Sequence, residues 1–275
     1  MDDLHRIYKL TGAAIGDYSM IRDGDSILVG VSGGKDSMLL LHVLSRLRAR
    51  APVRFTLHAA TFDPGFPGFG TEETARFCEN LGVPHHIIRL NVRKVIERTG
   101  SSNRPCILCS RLRRGHLYAL AKRLSCNKLA LGHHLDDILV SFLISCCRGS
   151  GLTTMGPNVP SDDRMIRVIR PFAYVEEKTT IRAAAMLQIP PRGECVYKQQ
   201  LEESGDRAYF KRLLHRMELR VPGLLQNMRR SLSDLRPEYL LDPRFLPPES
   251  VSAAVTPRSP SSEEPCSPRK QNDNR

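Results

Sequence analysis

The chain has 275 residues, 41% of them apolar and 25% charged, with 41 Lys and Arg against 29 Asp and Glu for a net charge of +12. That balance fits a globular protein of one large or two modest domains and favours, without requiring, a polyanionic partner such as nucleic acid. Eight cysteines are too sparse for a disulfide scaffold, the Met-Asp-Asp start shows no secretory leader, and no apolar run nears the ~20 residues that span a bilayer, so a cytoplasmic protein without membrane contact is expected.

The elements follow in chain order. Residues 1–22 are predicted to form an amphipathic helix, on the stripe Leu4, Ile7, Tyr8, Leu10, Ile15, Tyr18 and Met20. After a turn at Asp23-Gly24-Asp25, residues 26–31 read as a buried parallel strand. A helix over 37–50, a strand over 54–62 and a helix over 72–81 come next, the last stopped by Gly82 with Pro84 beyond. Strands at 86–90, 128–131 and 168–171 alternate with helices at 111–124, 136–147 and 179–187. Alternation of this kind predicts an α/β fold, a doubly wound parallel sheet covered on both faces, here assigned to 23–200. Residues 207–236 contain no clear strand and hold eight Lys and Arg against two Asp and Glu, which predicts a helical extension over 201–242 with a basic outer face. Seven prolines and six serines in 243–275 predict a disordered tail.

The most specific local feature is Ser32-Gly33-Gly34-Lys35-Asp36-Ser37, directly after the first strand. Glycines let successive backbone N–H groups converge on phosphate oxygens, and the helix start adds partial positive charge. Ser32 and Ser37 can donate hydroxyls, and Asp36 can either meet a phosphate-borne Mg²⁺ or cap the helix. The spacing is neither a Walker A loop nor a Gly-x-Gly-x-x-Gly fingerprint. A second signal is Gly132-His133-His134-Leu135-Asp136-Asp137, which follows the 128–131 strand. Ligands in such folds sit beyond the carboxyl ends of strands, so Gly132, His133, Asp136 and Asp137 are candidates for nucleotide or Mg²⁺ contacts, with helix capping the alternative role of the two Asp. Asp63, at the end of the second strand, is either a pocket residue or a turn residue before Pro64-Gly65.

Cys106 and Cys109 form a Cys-x-x-Cys pair, able to hold one metal or one corner of a cluster. A thioredoxin-type redox pair is the competing reading. Cys195 lies far downstream, and no second Cys-x-x-Cys exists. Three cysteines can hold three irons of a 4Fe–4S cluster and leave the fourth open; zinc with three Cys and one His is the alternative. Cys78, Cys126, Cys146 and Cys147 fall on helices or beside strands and are expected to be small buried hydrophobes. With no Trp and 6% aromatics, the chain lacks a base-stacking platform.

The 32–37 string resembles the Ser-Gly-Gly-x-Asp-Ser signature of the PP-loop ATP pyrophosphatases. The segments Cys106-Ile-Leu-Cys-Ser-Arg-Leu-Arg-Arg-Gly-His-Leu-Tyr118, Phe62-Asp-Pro-Gly-Phe-Pro67, Leu131-Gly-His-His-Leu-Asp-Asp-Ile-Leu139 and Val168-Ile-Arg-Pro-Phe-Ala-Tyr174 resemble motifs of the tRNA 2-thiocytidine synthetases, or tRNA-cytidine 2-sulfurtransferases. The likeness runs to near Asp242. It implies ATP- and Mg²⁺-dependent thiolation of a cytidine at C2 in the tRNA anticodon loop. Ser32, Gly33, Gly34, Lys35, Asp36 and Ser37 would hold the ATP phosphates, and Cys106, Cys109 and Cys195 a 4Fe–4S cluster, with Asp137 in the catalytic set. Arg111, Arg113 and Arg114, beside the Cys pair, would neutralise tRNA phosphates. A sulfur donor charged by a cysteine desulfurase and a homodimer are implied as well. The chain departs from the family pattern at Val140, Ser141 and Ser145, where polar contacts are usual, and around Cys195. Two other readings stay open: a PP-loop ligase for another tRNA base or a small molecule, using zinc or a persulfide, and a tRNA-binding homologue without turnover.

Overall fold

The computed structural model describes residues 2–66, 69–99, 105–189 and 205–245, the side chains of 99, 105 and 106 excepted. Cys195 and the tail beyond residue 245 lie outside the described residues.

Helix α1 (Asp3–Asp17) starts at Asp2, whose carboxylate accepts the Leu4 N–H, and buries Ile7, Thr11 and Ala14. Then come β1 (Asp25–Gly30), α2 (Lys35–Arg48), β2 (Phe55–Asp63), α3 (Glu72–Asn80) and β3 (His85–Arg89). Helices α4 (Val92–Thr99) and α5 (Pro105–Arg123) lead to β4 (Lys128–Ala130) and α6 (Leu135–Cys147). Strands β5 (Asn158–Pro160) and β6 (Arg167–Ile169) precede α7 (Glu177–Met186), α8 (Asp206–Arg220) and α9 (Leu224–Leu232).

The sheet order is β3-β2-β1-β4-β6-β5, parallel throughout except that β5 runs antiparallel to β6. The chain steps outward from β1 to β3, then returns to place β4 on the other side of β1. The crevice beyond the carboxyl ends of β1 and β4 is therefore the topological switch point, where ligands bind in open α/β sheets. Side chains alternate across β1. Ile27 and Val29 join Ile7, Leu40, Leu44, Phe172 and Ala183 under α1, α2 and α7, while Leu28 joins Leu117, Ala121 and Leu129 under α5. The expected doubly wound architecture is thus visible in the packing of a single strand.

Four features depart from the sequence expectation. Helix α5 begins at Pro105 rather than 111, with proline in the first helical position where its missing N–H costs nothing, so Cys106 and Cys109 are helical. Helix α4 was not expected; its apolar side is narrow, with Val92 and Ile96 buried. Strand β5 was not expected either, since three residues on an edge are too few to show alternation. Cys78 and Cys126 are buried as expected, but Cys146 and Cys147 are exposed, because they fall on the last turn of α6 beyond its packed stretch.

By its contacts the chain divides into Met1–Arg230 and Ser231–Arg275. In the first unit α8 and α9 pack on α6, with Leu135, Leu139 and Val140 against Phe210, Leu214 and Leu225. Val140 thus serves the seat of the extension, which accounts for an apolar residue at that departure from the family pattern. In the second unit, the described residues after α9 form 3₁₀ turns at Pro237–Tyr239 and Pro243–Phe245. Among the described residues no helix is long and apolar enough to cross a membrane.

Candidate active site

The 32–37 loop joins β1 to α2 at the switch point. Gly33 takes φ 82°, a conformation suited to glycine. The Ser32 N–H donates to Ser37 Oγ at 3.0 Å, and the Ser37 hydroxyl donates to the Gly34 carbonyl at 2.9 Å. These bonds close the loop on itself. The first-turn N–H groups of α2 have no acceptor inside their helix, the feature that anion binding at a helix start uses.

The second loop lies directly on the first. A Cβ built on Gly132 would come within 3.0 Å of the Asp36 carbonyl carbon and oxygen and of the Ser37 nitrogen. Only glycine permits that approach. It brings the 132–137 segment, expected from its motif, against the start of α2.

Four carboxylates meet there: Asp36, Asp136, Asp137 and Glu177. Lys35 Nζ lies 2.8 Å from Asp36 Oδ2 and 3.7 Å from Glu177 Oε1. The Thr180 hydroxyl donates to Asp36 Oδ1 at 2.6 Å. Asp136 Oδ2 accepts the Glu177 N–H at 2.8 Å, and Asp137 Oδ2 accepts the His134 N–H at 3.2 Å, so each also fixes a helix start. The His134 ring sits between them, 3.6 Å from Asp136, 3.6 Å from Asp137 and 3.7 Å from Glu177. Burial presses the His134 pKa down, but the adjacent carboxylates of Asp136, Asp137 and Asp36 outweigh it and raise the pKa. For Asp136 and Asp137 burial pushes upward, yet His134, with Arg207 at Asp137, holds both below the usual carboxylate range.

His133 behaves in the opposite way. Burial above all, with the nearby charges of Arg170, Arg207 and Arg113, overcomes the pull of Asp137 and drops its pKa to about 4. Its Nδ1 is buried without a hydrogen-bond partner among the described residues, as is Nε of Arg170. The site therefore keeps a neutral imidazole beside a protonatable one. Arg170 follows β6, and its guanidinium donates to the Gly156 carbonyl at 2.5 Å.

The remaining candidates divide. Asp63 ends β2, where its carboxylate accepts the Gly65 N–H at 2.8 Å in its own turn. Cys109 is half-buried against the cluster of Phe62, Phe66, Val92 and Ile96, at the carboxyl end of β2. Arg111, Arg113 and Arg114 are exposed on α5. Arg113 is close enough to act on His133, and Arg114 on Arg170.

A family model described as a PP-loop domain matches residues 6–189. The chain is 41% identical over 240 residues to the tRNA-cytidine(32) 2-sulfurtransferase of Syntrophotalea carbinolica, covering 86% of this chain and 92% of that protein. This chain belongs to the tRNA-cytidine 2-sulfurtransferase family. The sulfurtransferase of Paraburkholderia phymatum, 39% identical over 269 residues, covers 95% of this chain and 79% of its own. A solved structure, the U34-tRNA thiolase NcsA from Methanococcus maripaludis with its [4Fe-4S] cluster, superposes with a TM-score of 0.66. At 20% identity, over 85% of this chain and 80% of that one, it shows a shared fold.

Sequence reasoning passed over Glu177, Thr180, Arg170 and the inward role of Arg207 and Lys211. Arg170 lies inside a family-like motif and was open to selection there. Glu177 and Thr180 carry no local signal; only the docking of α7 beside α2 brings them to the loop.

Proposed function

We propose that this sulfurtransferase-family chain carries out ATP-dependent thiolation of a cytidine at C2 in the tRNA anticodon loop. The observation that carries the reading is Gly132 seated on Asp36 and Ser37, which makes a phosphate-binding loop and paired carboxylates address one place. The names of the relatives, at about 40% identity over most of the chain, support the choice of substrate.

The chemistry divides into two displacements. The cytidine C2 oxygen attacks the α-phosphorus of ATP, the bond to the β-phosphate oxygen breaks, and pyrophosphate leaves. Sulfur at the sulfide level then attacks C2, the bond from C2 to the adenylated oxygen breaks, and AMP departs with the former carbonyl oxygen. Here the α2 N–H groups and Lys35 hold the phosphates, and Asp136 and Asp137 are hard oxygen ligands suited to a phosphate-borne Mg²⁺. His133, kept neutral, adds no positive charge beside the reacting phosphate. Arg111, Arg113 and Arg114 receive tRNA phosphates, since single-stranded loop nucleotides must be drawn out of their stack to react.

Cys109 fits an iron–sulfur cluster: it is a soft sulfur ligand in partly apolar surroundings, at the same sheet edge as the loop. Cys106 and Cys195 would complete the set. When bound, such a cluster supplies an iron site for handling the transferred sulfur. A sulfur donor charged by a cysteine desulfurase and a homodimer belong to the same proposal.

The test is nucleoside analysis of tRNA from a bacterial strain deleted for its own enzyme and complemented with this chain. Restored 2-thiocytidine is the expected result. Its absence, with the protein folded and expressed, would overturn the reading. Anaerobic purification is expected to give a coloured protein with iron and sulfide; a colourless protein holding stoichiometric zinc would overturn the cluster.

A further inference from the structure

Helix α8 lies beyond the residues that the PP-loop model matches, 6–189. Its sequence suggested a basic outer face, yet two of its cations turn onto the site. Arg207 Nη2 pairs with Asp137 Oδ1, and Lys211 Nζ pairs with Glu177 Oε1 at 2.7 Å. The two are four residues apart and share one side of the helix. Their carboxylate partners are only 22% and 19% exposed.

The helix is firmly seated. Phe210 and Leu214 pack on Leu135, Leu139 and Val140 of α6, the helix whose first turn carries Asp136 and Asp137. Arg148 at the end of α6 pairs with Asp206 at the start of α8. Position is therefore fixed by the backbone, while the two cationic heads, more than half exposed, keep their freedom to turn.

Glu177 Oε1 also lies 3.7 Å from Lys35 Nζ. The ammonium groups of Lys35, from the phosphate loop, and Lys211, from α8, thus lie within 4 Å of a single oxygen. Four carboxylates border this loop, and a polyphosphate placed beside them meets strong repulsion unless cations intervene. Lys35 alone does not balance them. A divalent ion taken up by Asp137 would compete with Arg207 for the same oxygens and release its guanidinium, whose planar fork suits phosphate.

We infer that Arg207 and Lys211 are phosphate-positioning residues of the nucleotide site, turning from Asp137 and Glu177 to the phosphoryl oxygens of a nucleotide on the 32–37 loop. This rests on the nucleotide reading of that loop and adds a contribution from the extension. Arg212, Arg216 and Arg220 of the same helix are exposed.

The experiment is calorimetric binding of Mg²⁺ α,β-methylene-ATP, and separately of adenosine, to the full chain and to Arg207→Gln, Lys211→Gln and the double variant. Arg93→Gln, on a surface pair with Glu97, is the control. Each single variant is expected to bind the triphosphate about 5- to 20-fold more weakly, and the double variant more weakly still, with adenosine affinity unchanged. Arg207→Lys is expected to recover part of the loss. Equal losses for both ligands would mean a distorted site and would overturn the inference. So would unchanged triphosphate binding with weakened tRNA binding, which would place both residues on the RNA face. If the parent chain binds no triphosphate, the nucleotide reading fails with it; parent binding with unaffected variants sinks this inference alone.

Discussion

Gly132 rests against the backbone of Asp36, so that any side chain at 132 meets the carbonyl of Asp36 and the nitrogen of Ser37 at 3.0 Å. Backbone atoms at a helix start cannot give way as a flexible side chain would. Gly132→Ala is therefore expected to push the two loops apart, costing about 1–3 kcal/mol in urea unfolding, as overpacking does. Affinity for an ATP analogue is expected to fall at least tenfold, by about 1.4 kcal/mol or more. Gly12 lies in α1 with nothing within 4 Å of its Cβ position, so Gly12→Ala is the matched control. It should be neutral or stabilising by up to ~1 kcal/mol, through helix propensity. Equal effects at both sites would show that the contact at 132 is unimportant.

Thr180 joins α7 to the phosphate loop through one hydroxyl proton. That hydroxyl lies 2.6 Å from Asp36 Oδ1 and 3.0 Å from the Glu177 carbonyl, and the shorter bond goes to the charged acceptor. Thr180→Val keeps the shape and removes the donor from a fully buried position. Hydrogen bonds to charged groups contribute about 1.5–3 kcal/mol, so a loss in that range is expected in urea unfolding. Thr180→Ser, which keeps the hydroxyl, should lose clearly less. A valine variant as stable as the parent would refute the assignment.

The two adjacent histidines give opposite pH signatures. His133 titrates at about 4 in the folded chain and near 6.5 when unfolded. Between those values the unfolded chain takes up a proton that the folded chain refuses, so stability falls as pH drops from 6.5 towards 4. The full effect is about 3 kcal/mol. His134 is raised above 6.5, so its contribution is complete below pH 6.5 and is lost as pH rises through its folded pKa. Urea unfolding from pH 4.5 to 8 checks both. His133→Asn should flatten the acid limb and His134→Asn the alkaline one; an acid limb that survives His133→Asn would rule out its burial as the cause.

Most of the fold was legible because β1, β2 and α2 are buried nearly throughout and read as apolar runs of strand or helix length. Where the element is short, as in α4 with eight residues and β5 with three, too few positions accumulate for a period to be read. The site divides along the same line. The 32–37 and 132–137 segments carry their chemistry in consecutive residues, so position along the chain reveals them. Glu177, Thr180, Arg207 and Lys211 reach the site only through the packing of α7 and α8, and a basic run does not show which of its cations turn inward. Arg207 and Lys211 look like Arg216 until Phe210 and Leu214 dock on α6.

At the opposite end of the sheet, Asp25 and Lys128 form a buried pair that ties the amino ends of β1 and β4. Their side chains are each 7% exposed, with Lys128 Nζ 3.7 Å from Asp25 Oδ2. Asp25 has further support, accepting the Arg22 N–H and an Asn127 amide N–H, each at 2.7 Å. Lys128 has less, and burial lowers its pKa despite the neighbouring carboxylate. The two truncations should therefore differ. Asp25→Ala leaves a buried ammonium without its anion and strands two donors, for a loss of about 3–5 kcal/mol. Lys128→Met leaves Asp25 with both N–H donors and fills the space with apolar atoms, so its cost should be less than half as large. The double variant should recover much of the Asp25→Ala loss, giving a coupling energy in a double-mutant cycle read by urea unfolding. Nucleotide affinity should be unchanged in all three, because the pair lies at the amino ends of strands whose carboxyl ends form the site. Equal costs for the two single variants would mean that the charge on Lys128 is not what Asp25 compensates.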